Sequence, residues 1–169
     1  MGDSSFLSLN INGAGDVKKR LAIFEYIKSF NRDIILLQET HTTIVDEVPW
    51  KLLWRGEIIF SHLSSNSAGI AILFKPMLHI TDLKSKSIFD GRCIHVSFTM
   101  YDVTYNILNI YAPTDGKERY TLFLLIFDYM KLFDDDSMLI FGGDFNCTLL
   151  FEHCTLLNIF DRQGHIFQF

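Results

Sequence analysis

Asp144 and Asn146 stand two residues apart at the end of the run Leu139-Ile140-Phe141-Gly142-Gly143-Asp144-Phe145-Asn146. An apolar, strand-like segment ends in two glycines and then offers a carboxylate and a carboxamide. In extended backbone alternate side chains share a face, so this pair points one way and Phe145 the other. Three more apolar runs end in the same manner. Asn10 and Asn12 close the first, Gln38 and Glu39 the second (with Thr40 and His41 next), and Asn109 and Tyr111 the third. Polar groups at the carboxyl ends of neighbouring strands converge on one cleft, where α/β sheets hold their ligands.

The donor set limits the chemistry. Glu39 and Asp144 supply hard anionic oxygens, and Asn10, Asn12 and Asn146 supply neutral oxygens and amide donors. No His or Cys cluster accompanies them, which argues against zinc. An oxygen-rich site with few protein ligands suits Mg2+, or Mn2+, with substrate phosphate completing the shell. The matching reaction is attack of an oriented water on phosphorus, and the Tyr111 phenol can donate to a phosphate oxygen. Each residue alone also fits a plainer role: an Asn as turn former, Glu39 or Asp144 as a cap, Tyr111 as a half-buried aromatic. Their shared placement favours the metal site.

The elements that position these residues follow from periodicity. Residues 6–11 read as a strand running into the loop Asn12-Gly13-Ala14-Gly15. Asp16 is an N-cap, and Val17, Leu21, Phe24, Ile27 and Phe30 recur at helical spacing. Residues 33–37 form an apolar run typical of a strand buried on both faces, so the first three elements make a βαβ unit. Residues 42–56 read as loop and short helix, 58–60 as a weak strand, and 69–74 as a strand stopped near Pro76. Ile94, Val96, Phe98 and Met100 alternate with polar residues, as do Val103, Tyr105 and Ile107. A tight turn at Tyr101-Asp102 makes these a hairpin whose second strand runs to Tyr111. Residues 117–133 are helical, and 138–142 form the last strand. Mixed strands flanked by helices predict an α/β sandwich.

The chain has 169 residues, 49% hydrophobic and 14% aromatic with 16 Phe, enough for one domain with a real core and incompatible with disorder. Its formal charge of -5 excludes nucleic-acid binding by bulk electrostatics, but not an enzyme that neutralises its own carboxylates with metal. Lys18-Lys19-Arg20 reads first as a solvated helix face and second as a phosphate contact. Cys93, Cys147 and Cys154 form no CxxC pair or disulfide framework, as expected in a reducing compartment. No signal peptide or spanning stretch is legible, so no membrane partner is expected. Nothing in the sequence fixes an oligomeric state.

These motifs carry a resemblance. Leu9-Asn10-Ile11-Asn12-Gly13, Leu37-Gln38-Glu39-Thr40-His41, Ala68-Gly69-Ile70-Ala71-Ile72-Leu73, Leu108-Asn109-Ile110-Tyr111-Ala112-Pro113 and Gly143-Asp144-Phe145-Asn146 occur in the order of the endonuclease/exonuclease/phosphatase superfamily. Within it the chain most resembles the endonuclease domain of LINE-type non-LTR retrotransposons, relatives of apurinic/apyrimidinic (AP) endonucleases and exonuclease III. The resemblance covers residues 4–150 and implies a DNase I-like, four-layer α/β sandwich. It implies that Glu39 is the principal metal ligand, with Asn10 and Asn12 beside it. Tyr111 would contact the scissile phosphate, Asp144 would orient the water, and Asn146 would fix the phosphate. Asn12 and His41 would also face substrate. Asn12 stands where repair-type members carry an aspartate, which points to the retrotransposon branch. The implied activity is Mg2+-dependent nicking of DNA in the nucleus, with no organic cofactor.

The family pattern continues beyond its Gly-Asp-x-Asn block, with another Asp and a Ser-Asp-His motif. Neither follows here, and His165, in Gly-His-Ile, does not match that histidine. Residues 1–150 are therefore expected to be the N-terminal part of the family domain and 151–169 a divergent tail. The same departure predicts an exposed strand edge unless the tail covers it, and at most trace nuclease activity. It keeps two alternatives open: a catalytically dead remnant serving as a binding module, and a phosphatase or phosphodiesterase acting on a small phosphoester.

Overall fold

The computed structural model describes residues 4–134 and 136–147, together with the backbone of 165–167. Two mixed sheets pack face to face. The first contains β1 (Phe6–Asn10), β2 (Ile34–Gln38), β3 (Ile58–Ser61) and β4 (Ile70–Phe74), in the order β1-β2-β4-β3. The second contains β5 (Thr81–Phe89), β6 (Cys93–Met100), β7 (Val103–Tyr111), β8 (Met138–Asp144) and β9 (His165–Phe167), in sequential order. Among the described residues three α-helices flank them: α1 (Val17–Ser29), α2 (Glu47–Trp54) and α3 (Gly116–Met130).

The layers follow from strand parity. One face of each sheet supplies the inter-sheet core: Ile34, Leu36, Ile70, Ile72 and Phe74 meet Ile94, Val96, Phe98, Ile107 and Ile140. Phe98 anchors it, meeting Phe74 edge-on at 5.2 Å and stacking on Tyr105 at 5.3 Å. The opposite face of the first sheet, with Ile35, Leu37, Ala71 and Leu73, packs on Phe24 and Ile27 of α1 and on Trp50 and Trp54 of α2. The opposite face of the second, with Leu108, Ile110 and Phe141, packs on Leu122 and Ile126 of α3. The result is the four-layer α/β sandwich expected from the sequence.

Asp16 caps α1 by accepting from Lys19 N, and β1 runs parallel to β2, completing the expected βαβ unit. Tyr101 and Asp102 take φ of 53° and 61°, the left-handed pair of a tight hairpin turn between β6 and β7. β8 extends through both glycines to Asp144, two residues further than periodicity predicts. Gly143 holds φ 141°, and a Cβ there would fall 1.9 Å from the Ile110 carbonyl oxygen. Only glycine lets β8 lie this close to β7.

Two sequence readings change. β5 carries no apolar alternation, because its segment Thr-Asp-Leu-Lys-Ser-Lys-Ser is largely exposed and polar; it is an edge strand paired with β6. Arg20 does not share the solvated face of Lys18 and Lys19. It is buried, 3.6 Å from Asp46. β9 pairs in parallel with β8, from Ile140↔His165 to Gly142↔Phe167, so part of the tail occupies that sheet edge. The rest of the tail lies outside the described residues.

Candidate active site

The topology brings the chemistry-bearing residues to one end. β1 and β2 are parallel, so Asn10 pairs with Gln38 and Glu39 follows directly. β7 and β8 are parallel, so Tyr111 pairs with Asp144. Face-to-face packing of the sheets then sets Asn10 and Glu39 against Tyr111 and Asp144.

Asn10 ties the two halves together. Its Nδ2 donates to Glu39 Oε1 at 2.8 Å and to Asp144 Oδ2 at 2.9 Å. Its Oδ1 accepts the Asn12 backbone N–H at 3.0 Å, which fixes the amide's orientation. One neutral side chain thus holds two carboxylates from different sheets. Among the described residues neither carboxylate has a Lys or Arg partner; His41 Nε2, 3.6 Å from Glu39 Oε2, is the basic group present.

Glu39 receives opposing influences. Burial acts to raise its pKa, but donors on Asn10, Tyr111 and His41, with the His41 charge, outweigh burial and lower it. The Tyr111 phenol is pushed up to about 12 by burial and by Glu39 beside it, against the opposing Arg92 charge. Tyr111 therefore stays protonated at neutral pH and acts as a donor. Asp144 Oδ1 accepts Asn146 N at 3.0 Å, and Asn146 Nδ2 donates to Ala112 O at 2.7 Å.

Strand parity holds for Asn109 and Tyr111, both within β7. It fails for the other two pairs. β1 ends at Asn10 and β8 at Asp144, and Asn12 and Asn146 each adopt a left-handed φ of 46°. Asn146 turns back to the Ala112 carbonyl. The Asn12 side chain is exposed, and its backbone carbonyl accepts from Lys19 Nζ. Glu39 and His41 are also left-handed, at 51° and 52°, in a loop clamped by Thr40 N to Gly69 O and His41 N to Ala68 O. The His41 ring packs on Gly13, where a Cβ would come within 2.7 Å of Nδ1.

Sequence reasoning missed Arg92, whose guanidinium lies 4.7 Å from the centre of the Tyr111 ring and whose carbonyl accepts Tyr111 N. No periodic signal distinguishes an arginine at a strand's start. It also left Gln38 and Asn109 without a role, although both sit one or two residues before site groups.

The donor set fits a hard divalent cation. Two carboxylates converge with no Lys or Arg partner among the described residues and only His41 beside Glu39, and neutral amides surround them. Among the described residues no group of three or more His, Cys, Asp or Glu is placed to hold a metal, so water and substrate oxygens would fill most of the shell. Glu39 and Asp144 are the anionic candidates. Asn10 serves them as an orienting amide.

Two face-packed mixed sheets with helices outside, and acids and amides gathered at their shared end, define a DNase I-like α/β sandwich. The chain belongs to the endonuclease/exonuclease/phosphatase family, whose model matches residues 7–159. It is 37% identical over 145 residues to the transposon TX1 uncharacterized 149 kDa protein of Xenopus laevis, covering 86% of this chain and 11% of that protein. The fold is similar to D. rerio TDP2 complexed with single-strand DNA product (TM-score 0.67, 16% identity, covering 86% of this chain and 61% of that one). It is also similar to the endonuclease domain of TRAS1, a telomere-specific non-LTR retrotransposon (TM-score 0.60, 17% identity, 86% and 60%). The chain therefore spans about a tenth of the TX1 protein and about three fifths of each structural neighbour.

Proposed function

We propose that this chain carries the centre of a divalent-metal-dependent DNA phosphodiesterase of the retrotransposon endonuclease type. The observation that carries the proposal is Asn10 Nδ2 donating to Glu39 and Asp144 together. Two anions held this close by a neutral group call for a cation, and family membership supplies the phosphoester chemistry.

Glu39 would hold Mg2+ or Mn2+, with water and substrate oxygens filling most of the shell and Asp144 facing it through Asn10. When bound, such an ion supplies positive charge for the phosphate oxygens. Asp144 would orient the attacking water and accept its proton as the new P–O bond forms; the P–O3′ bond breaks in the same displacement, and the leaving 3′ oxygen takes a proton from solvent to become a hydroxyl. Tyr111 transfers its hydrogen bond from Glu39 to a phosphate oxygen as substrate enters. Asn146 keeps one amide hydrogen on Ala112 and offers the other to the phosphate. His41 borders the same opening. DNA as substrate is supported by relatives whose names specify a retrotransposon endonuclease domain and a DNA product complex. Cleavage of chromosomal DNA would place the protein in the nucleus.

A substrate panel tests the class. Supercoiled plasmid and small phosphoesters are offered with Mg2+ under identical conditions. Nicking of plasmid with kcat/KM well above that of any small ester supports the proposal. A preference for a small phosphoester would assign the site to the phosphatase side of the family.

A further inference from the structure

Arg119 lies in the first turn of α3, where a cation is opposed by the positive end of the helix dipole. Among the described residues it forms no ion pair that would offset this. Its Nη1 instead donates to two backbone carbonyls, Pro113 O at 3.1 Å and Thr114 O at 3.0 Å. Those residues continue the turn that follows Tyr111. The preceding residue of that turn, Ala112, is fully buried and engages the site on both sides. Its N–H donates to Asp144 O at 2.8 Å, and its carbonyl accepts Asn146 Nδ2 at 2.7 Å.

We infer that Arg119 is a positioning residue: by clamping the Pro113 and Thr114 carbonyls it fixes the turn against which Asp144 and Asn146 are set. Both bonds leave the single nitrogen Nη1 and are charge-assisted, so they hold the turn more firmly than neutral ones would; a lysine ammonium, with its shorter reach, reproduces them only in part. Arg119 touches neither carboxylate and acts through Ala112. Its effect on turnover rests on the roles proposed for Asp144 and Asn146; its effect on the turn does not.

The test compares Arg119→Ala and Arg119→Lys with the unaltered chain. The first readout is the side-chain amide resonance of Asn146 in metal-free protein. We expect it to shift or broaden in Arg119→Ala as the bond to Ala112 loosens, and to change less in Arg119→Lys. The second is plasmid nicking. Misplacement on this scale lowers kcat about 10- to 100-fold, with KM and the salt dependence of binding little changed. Added guanidinium ion restores part of the Arg119→Ala rate. An unmoved Asn146 amide in a folded variant overturns the inference. So does a raised KM with a salt slope reduced by about 0.9, the signature of a lost phosphate contact. If Arg119→Ala does not fold, Arg119→Met, which keeps an apolar stem and carries no donor, decides by the same criteria. Absence of nicking by the unaltered chain refutes the proposed function and leaves the amide readout standing.

Discussion

Gln38 Nε2 donates to Asn109 Oδ1 at 2.7 Å, a bond that crosses from one sheet to the other in the buried layer beneath the site. Asn109 Nδ2 returns the link by donating to the Leu37 and Ala71 carbonyls at 3.0 and 2.9 Å. Gln38 directly precedes Glu39, and Asn109 lies two residues before Tyr111. Apolar packing holds the sheets together but does not fix their sliding. This satisfied polar network sets their register, and with it the distance from Glu39 to Tyr111.

Replacing Asn109 removes a hydrogen bond from three buried groups: the Gln38 amide, which keeps only its bonds with Ser8 Oγ, and the Leu37 and Ala71 carbonyls. Asn109→Leu should destabilise the fold by about 2–4 kcal/mol. Urea unfolding followed by tryptophan fluorescence measures it through Trp50 and Trp54, both buried in the first sheet's helix layer. A loss below about 0.5 kcal/mol would show that packing alone sets the register.

Gly143→Ala should be more severe. The substituted Cβ collides with the Ile110 carbonyl, and φ 141° is closed to L residues. The expected outcome is insoluble protein, or a loss of at least about 3 kcal/mol. Wild-type-like melting of a soluble variant contradicts the close β7–β8 contact.

Much of this was legible beforehand. Gly143-Asp144-Phe145-Asn146 and Leu37-Gln38-Glu39 announced strand ends because apolar runs stopping at polar groups are a local pattern. What strand parity could not supply was where extended backbone stops. Asn12 and Asn146 lie past that point in left-handed turns, so their expected directions were lost. β5 was illegible for the opposite reason: an edge strand facing water needs no apolar alternation. Arg119 and Arg92 matter through contacts set by tertiary structure, which have no linear signature.

Asn10→Ala removes the donor shared by the two carboxylates. Glu39 should then titrate closer to an ordinary glutamate, since burial continues to raise its pKa and one opposing bond is gone. Because folding lowers the Glu39 pKa, its contribution to stability is present above about pH 4.5 and is lost as pH falls through the lowered value. The variant should lose part of that acid-range dependence. Carboxyl carbon shifts followed from pH 7 to 3 check the titration, and an unaltered Glu39 curve would refute the bridging role.

His95 gives a separate dependence at higher pH. Burial lowers its pKa below 6.5, with Lys86 adding to the effect and Asn106 opposing it. It is held neutral between Tyr129 OH at 3.0 Å and Asn106 Oδ1 at 2.9 Å. The unfolded chain therefore binds the proton more readily, so stability is full above pH 6.5 and falls as pH drops below it. His95→Gln should flatten this step between pH 7 and 5 in thermal melts. Identical pH profiles would remove His95 as its source.

Glu39 and Asp144, held together by Asn10 from the ends of two different sheets, are proposed to form one cation-dependent centre for cleaving DNA. Its most direct test is conversion of supercoiled plasmid to open circles under titrated Mg2+. The unaltered chain is compared with Glu39→Ala and Asp144→Ala. Slow nicking should require Mg2+, stop on chelation, and fall at least about 100-fold in both variants. Nicking that survives either substitution, or no Mg2+-dependent nicking by the folded chain, contradicts such a centre.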